Sequence, residues 1–185
     1  GCIMPPIFAT STFEHGNKAN FDYTRSGNPN FSILENVLKG IENSNYCTVF
    51  NSGISAVTAI VSSLKSGDII LCESNLYGCT IRMFEKIFRK FGIQTFYFDF
   101  TNKEYIQQIS KVKPSLIWLE SPTNPLLKIL NLKEICSEAN SRKIPVVVDN
   151  TFCTAVIQRP LELGATLSLI STTKFINGHS DALGG

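Results

Sequence analysis

From Phe31 onward, short and mostly apolar runs alternate with stretches whose apolar residues recur at helical spacing. This rhythm limits the fold more than any other feature of the chain. The apolar runs are Tyr46 to Phe50, Ile69 to Cys72, Gln94 to Phe98, Leu116 to Leu119, Val146 to Val148 and Leu167 to Ile170. Each reads as a buried strand. Helices are predicted over Ile54 to Leu64, Thr80 to Phe91, Lys103 to Val112 and Leu132 to Ser141. An earlier one, Phe31 to about Ile41, gathers Ile33, Leu34, Val37, Leu38 and Ile41 on one face. Asn131-Leu-Lys-Glu134 is close to a capping box with asparagine as the cap. Strands that lack polar alternation need cover on both sides. The expected class is therefore α/β, a mostly parallel sheet sandwiched by helices.

The 185 residues, 43% hydrophobic and 17% charged, suit a soluble globular domain with a sizeable core. A net charge of +2 with scattered Lys and Arg gives no reason to expect nucleic acid or a membrane surface as partner. No apolar run reaches transmembrane length. Cys2, Cys47, Cys72, Cys79, Cys136 and Cys153 form no C-x-x-C pair and no metal-like group with His15 or His179. They suggest a reducing, cytoplasmic compartment and no metal site. The first 30 residues are irregular, punctuated by Pro5, Pro6, Gly16, Gly27 and Pro29.

Chemistry gathers where the predicted strands end. The last one runs into Ser171-Thr-Thr-Lys174, which puts a lysine at the carboxyl edge of the sheet, where ligands of open α/β sheets bind. Partial desolvation between apolar neighbours would lower its pKa and make the amine a nucleophile; a solvated loop lysine is the alternative. Asn51-Ser52-Gly53-Ile54-Ser55 opens a helix, and its unpaired N–H groups could seat a phosphate or simply form a cap. No nucleotide-type glycine loop accompanies it. Asp149 closes a run of three valines, either as a turn aspartate or as the counter-ion of a cationic ring nitrogen. Two prolines in Glu120-Ser-Pro-Thr-Asn124-Pro125 stiffen the loop that carries Asn124. Tyr77 offers an aromatic face at a helix entry, or else a core tyrosine. A phosphate seat, an acid for a ring nitrogen, a flat aromatic and a reactive amine are what pyridoxal 5'-phosphate requires.

Thr123-Asn124-Pro125, Asp149-Asn150-Thr151-Phe152 and Thr173-Lys174 followed by Gly178-His-Ser-Asp181 closely resemble the pyridoxal-phosphate enzymes of cysteine and methionine metabolism, the trans-sulfuration family. Tyr23-Thr-Arg25-Ser-Gly-Asn-Pro29 and Ser52-Gly53-Ile54-Ser-Ala56 extend the likeness along the whole chain. The resemblance implies the aspartate-aminotransferase-like (fold type I) architecture. It makes Lys174 the lysine that carries the cofactor and shuttles protons, with Tyr77, which stacks on the ring, as its catalytic companion. Asp149 would hold the ring nitrogen protonated. Gly53, Ile54, Ser171 and Thr173 would bind the phosphate, and Asn124 would lie near the ring hydroxyl. Ser52 and Thr151 complete the expected cofactor-binding set. Tyr23 and Arg25 would reach the phosphate of a neighbouring subunit within a homotetramer built from dimers; an arginine fork suits that task.

Residues 1–45 are then an arm and first helix that contact the neighbouring subunit, and 46–185 a truncated cofactor-binding large domain. Neither Gly1–Pro6 nor Asp181–Gly185 reads as a natural terminus. The expectation is a fragment that lacks a small C-terminal domain. Ile54, Cys79 and Asn30 stand where the family usually has methionine, glycine and threonine. Within the family, Gly1–Ile7, Glu120–Leu127 and Lys174–Asp181 favour γ-replacement, which joins cysteine to an O-acylated homoserine to give cystathionine. Cystathionine cleavage at the γ or β carbon, sulfhydrylation of O-acylhomoserine and an inactive truncated fragment are the alternatives.

Overall fold

The computed structural model describes residues 3–185, so Gly1 and Cys2, the first of the six cysteines, lie outside the described residues. The chain divides into two compact units, Gly1–Val49 and Phe50–Gly185.

In the first unit, Thr12 and Tyr23 form an antiparallel bridge. Phe13 N–H donates to the Asp22 carbonyl and Thr24 N–H to the Ser11 carbonyl, both at 2.9 Å. Helix α1, Pro29–Glu42, starts where Pro29 fills a first-turn position that has no use for an N–H. The Asn28 side chain caps it by accepting from Asn30 N–H at 2.9 Å. Asn30 in turn accepts from Phe8 N–H at 3.0 Å and donates to the Phe8 carbonyl at 3.1 Å. The predicted apolar face of α1 is present, with Leu38 buried but Leu34, Val37 and Ile41 exposed.

The second unit holds one five-stranded, wholly parallel sheet: β1 Ile69–Glu73, β2 Gln94–Phe98, β3 Leu116–Glu120, β4 Val146–Asp149 and β5 Leu167–Leu169, in the order β2-β1-β3-β4-β5. Successive side chains of a strand point to opposite faces, so the apolar runs feed two cores. On one face Leu71, Ile117, Leu119, Val146 and Val148 pack with Tyr105 and Ile109 of α4 (Tyr105–Val112) and Ile135, Cys136 and Ala139 of α5 (Leu132–Ser141). On the other, Ile70, Cys72, Trp118 and Val147 meet Val57 and Val61 of α2 (Gly53–Val61) and Phe84 of α3 (Gly78–Lys86). The Asn131 cap of α5 accepts from Glu134 N–H at 3.3 Å, as its sequence suggests, and its side-chain NH₂, rather than its backbone N–H, donates to the Glu134 carboxylate at 2.9 Å. A short α6, Thr154–Ile157, follows β4.

Three expectations need correction. Tyr46–Phe50 forms no strand; of that run Phe50 alone pairs, exchanging backbone bonds of 2.7 and 3.1 Å with Gly185. Apolar composition does not make a strand where no neighbouring strand lies alongside. Helix α2 stops at Val61 rather than Leu64, because Ser63 turns its hydroxyl onto the Ile60 carbonyl at 2.7 Å and competes with helical bonding. The stretch Thr80 to Phe91 breaks after Lys86 into a 3₁₀ turn, Phe88–Phe91. Among the described residues no helix is long and apolar enough to cross a membrane.

Candidate active site

The carboxyl ends of β3, β4 and β5 and the N-termini of α2 and α3 enclose a cavity of about 170 Å³. Ser52, Gly53, Ile54, Tyr77, Asn124, Asp149, Thr151, Ser171, Thr173 and Lys174 all line it. Every cavity residue belongs to the second unit, whereas Tyr23 and Arg25 belong to the first. There the Arg25 guanidinium stands 5.0 Å over the Tyr23 ring, a cation–π contact.

The expected phosphate seat lies where two elements come into close approach. A Cβ on Gly53 would lie 2.9 Å from Ser171 Cβ and 3.2 Å from its Cα, so the start of α2 touches the chain leaving β5 only because residue 53 is glycine. Ser52 caps α2, its hydroxyl accepting from Ser55 N–H at 3.2 Å. The N–H groups of Gly53 and Ile54 occupy first-turn positions with no intrahelical acceptor, at the positive end of the helix dipole. The Thr173 hydroxyl, expected at the phosphate, lines the cavity and contacts both the N–H and the carbonyl of Gly184, at 3.1 and 3.3 Å.

Asp149 is buried, and burial raises its carboxyl above the usual range, opposed by hydrogen bonds from Thr151. Both bonds, the Thr151 hydroxyl at 2.6 Å and its N–H at 3.0 Å, fall on Oδ1. The same hydroxyl accepts from Ser171 N–H at 2.9 Å, linking the acid to the end of β5. A buried acid beside a cavity, with Oδ2 outside these bonds, suits a cationic N–H.

Tyr77 occupies the N-cap position of α3 without a side-chain capping bond; it lines the cavity and is 43% exposed. A contact with the Cys79 thiol is the main cause that raises its phenol pKa. The Asn124 loop is closed by Thr123 and Lys128, which bond each other through backbone and hydroxyl at 3.0 Å. Behind it Gln158 donates to the Ser121 carbonyl at 2.8 Å and to Asn150 at 2.9 Å, and Asn150 donates to the Gln158 carbonyl at 2.7 Å.

Lys174 lines the cavity but is exposed, contrary to the expected desolvation by strand neighbours. It sits on a turn past the strand, where Lys174 N–H donates to the Ser171 carbonyl at 3.2 Å and Gly178 N–H to the Lys174 carbonyl at 2.8 Å. Phe175 on that turn meets Phe152 of the cavity wall at 6.1 Å between centroids. Glu120 and Phe152 also line the cavity and Gln158 braces its loop, roles that the sequence does not single out. Only Glu120, an acid closing an apolar run, left a signal comparable to that of Asp149.

Fold and cavity together define an α/β cofactor-binding domain that offers an amine, a buried acid, an aromatic face and a helix N-terminus to one small ligand. The chain belongs to the Cys/Met metabolism PLP-dependent enzyme family, which matches it over residues 1–185. It is 38% identical to a probable cystathionine gamma-synthase of Herpetosiphon aurantiacus, covering 100% of this chain and 59% of that protein. It is 37% identical to the cystathionine gamma-lyase of Homo sapiens, covering 99% and 46%. Among solved structures, apo CalE6, a methionine gamma lyase from Micromonospora echinospora, superposes with a TM-score of 0.95 at 38% identity, covering 100% of this chain and 50% of that one. The chain thus spans about half the length of the relatives it matches. Pyridoxal phosphate is the cofactor of the family, and the residues just described fit it.

Proposed function

We propose that the protein containing this chain is a pyridoxal-phosphate enzyme of sulfur amino-acid metabolism that performs γ-replacement, joining cysteine to an O-acylated homoserine to give cystathionine. The observation that carries the enzyme reading is the meeting of Lys174, Asp149 and Tyr77 on one cavity from distant parts of the sequence. The bound cofactor supplies an electron sink. Asp149 would keep the ring nitrogen protonated, the α2 N-terminus with Ser52, Ser171 and Thr173 would hold the phosphate, and Tyr77 would cover the ring. With the cofactor bound, the Lys174 amine would take the substrate Cα proton, and loss of a Cβ proton would then break the Cγ–O bond and release the acyl group as its carboxylate. The cysteine thiolate would add at Cγ, and Lys174 would return protons to Cβ and Cα. Tyr23 and Arg25 serve the phosphate of a neighbouring subunit in a homotetramer, with residues 1–45 as the contacting arm. Free Cys47, Cys72, Cys79, Cys136 and Cys153 support a cytoplasmic setting.

Likeness to the Herpetosiphon protein supports the synthase reaction, and near-equal identity to the human lyase supports C–S cleavage as the second reading. Full-length protein loaded with cofactor decides between them. Consumption of O-succinylhomoserine only with cysteine supports the synthase, whereas rapid 2-oxobutanoate or pyruvate from cystathionine alone favours a lyase. Lys174→Ala should abolish the visible absorbance of the lysine-bound cofactor; an unchanged band would remove the enzyme reading.

A further inference from the structure

Beside Asp149 and Lys174, the cavity wall carries a third charged residue, Glu120. It ends β3 directly opposite Asp149 on β4, and it is 5% exposed. A second buried acid beside the first is costly. Burial, then Asp149, push its carboxyl up to about 8 against the opposing Tyr77 bond, with a smaller upward contribution from Glu73. What the carboxyl does is specific: across 43 positions of chain its Oε2 accepts the backbone N–H of Tyr77 at 2.7 Å.

That N–H lies at the point where the chain enters α3. The Tyr77 carbonyl already accepts from Thr80 and Ile81 N–H at 2.9 and 3.2 Å, and Tyr77 provides no side-chain cap. Bonds on both sides of the residue therefore fix its backbone, two from its own helix to its carbonyl and one from its N–H to Glu120. Tyr77 as a residue, by contrast, is 43% exposed, so packing against its neighbours is incomplete and does not alone orient its side chain.

We propose that Glu120 is a positioning residue: its carboxyl clamps the Tyr77 backbone and so sets the Tyr77 ring against the cofactor. In the neutral form, one oxygen accepts from Tyr77 and no second negative charge stands next to Asp149. Glutamine reproduces this arrangement, with an amide oxygen as acceptor and an NH₂ in place of the hydroxyl. Alanine removes the acceptor and strands a buried N–H.

The inference rests on Tyr77 being the aromatic partner of the cofactor, and its test separates the two. In full-length protein freed of cofactor, amide exchange over Tyr77–Thr80 should quicken about tenfold in Glu120→Ala and stay within about twofold of the parent in Glu120→Gln. On adding pyridoxal phosphate, Glu120→Ala should bind about tenfold more weakly and give an altered visible circular dichroism band, with Glu120→Gln like the parent. Should the alanine variant fail to fold, Glu120→Met keeps the bulk without an acceptor as good as oxygen and takes its place. Unchanged exchange in the variant lacking the acceptor overturns the clamp. Quickened exchange with unaltered binding and dichroism overturns the positioning role. Loss of the cofactor band in Lys174→Ala checks the cofactor reading independently.

Discussion

Thr151 carries two burdens with one hydroxyl, donating to Asp149 Oδ1 and accepting from Ser171 N–H. Thr151→Val keeps the shape and removes both bonds, so Asp149 ionises less readily and Ser171 loses an anchor. A hydrogen bond to a charged group contributes roughly 1.5–3 kcal/mol, which predicts cofactor affinity about tenfold or more lower by fluorescence titration. Glu120 predicts a pH effect. Its carboxyl is held up from 4.5 to about 8, so in the cofactor-free protein the folded state keeps a proton that the unfolded state has shed. Stability is then full below about pH 4.5, falls as pH rises through about 8, and changes no further above that. Thermal melts from pH 5 to 9 should show this decline, and Glu120→Gln should flatten it. Asp149 and Lys174 were legible in the sequence because each is a polar residue set after an apolar run. The tie from Glu120 to Tyr77 was not, because it depends on which strands become neighbours, and letters 43 positions apart do not record that.

Helix α2 and strand β5 show how much of the site depends on one close approach. Gly53→Ala puts a methyl group 2.9 Å from Ser171 Cβ and 3.2 Å from its Cα, so backbone as well as side chain must yield. The gain in helix propensity, at most about 1 kcal/mol and less at a first-turn position, offsets only part of the strain, and the melting temperature should fall by a few degrees. Ligand binding should change much more: pyridoxal phosphate at least about tenfold weaker, and pyridoxal, which lacks the phosphate, nearly unaffected. Equal losses for both ligands would place the damage outside the phosphate seat. The elements themselves were largely legible, since the central strands β1, β3 and β4, buried on both faces, leave an uninterrupted apolar record. Tyr46–Phe50 carries the same record and forms no strand, because pairing is a property of the neighbour as much as of the run. The apolar stripe on α1 was legible too, yet Leu34, Val37 and Ile41 remain exposed in the first unit.

For the molecule as a whole, the division of labour between the two units makes a prediction that single-site variants cannot. The cavity is lined from the second unit alone, while the proposed phosphate arginine, Arg25, lies in the first. If Arg25 serves a neighbouring subunit, Arg25→Ala spoils its neighbour's site and Lys174→Ala spoils its own. A dimer built from one subunit of each kind then has one site spoiled twice and one intact, with Lys174 from one chain and Arg25 from the other. Random mixing gives hybrids in about half of the dimers, so about a quarter of all sites should recover parental cofactor affinity in two-fold symmetric pairs. The measurement is a cofactor titration of full-length protein made by co-expressing the two variants, set against the variants made separately. A recovered high-affinity fraction near a quarter supports exchange of the arm between subunits. A titration that equals the sum of the two separate variants would mean that Arg25 acts within its own chain or not at all.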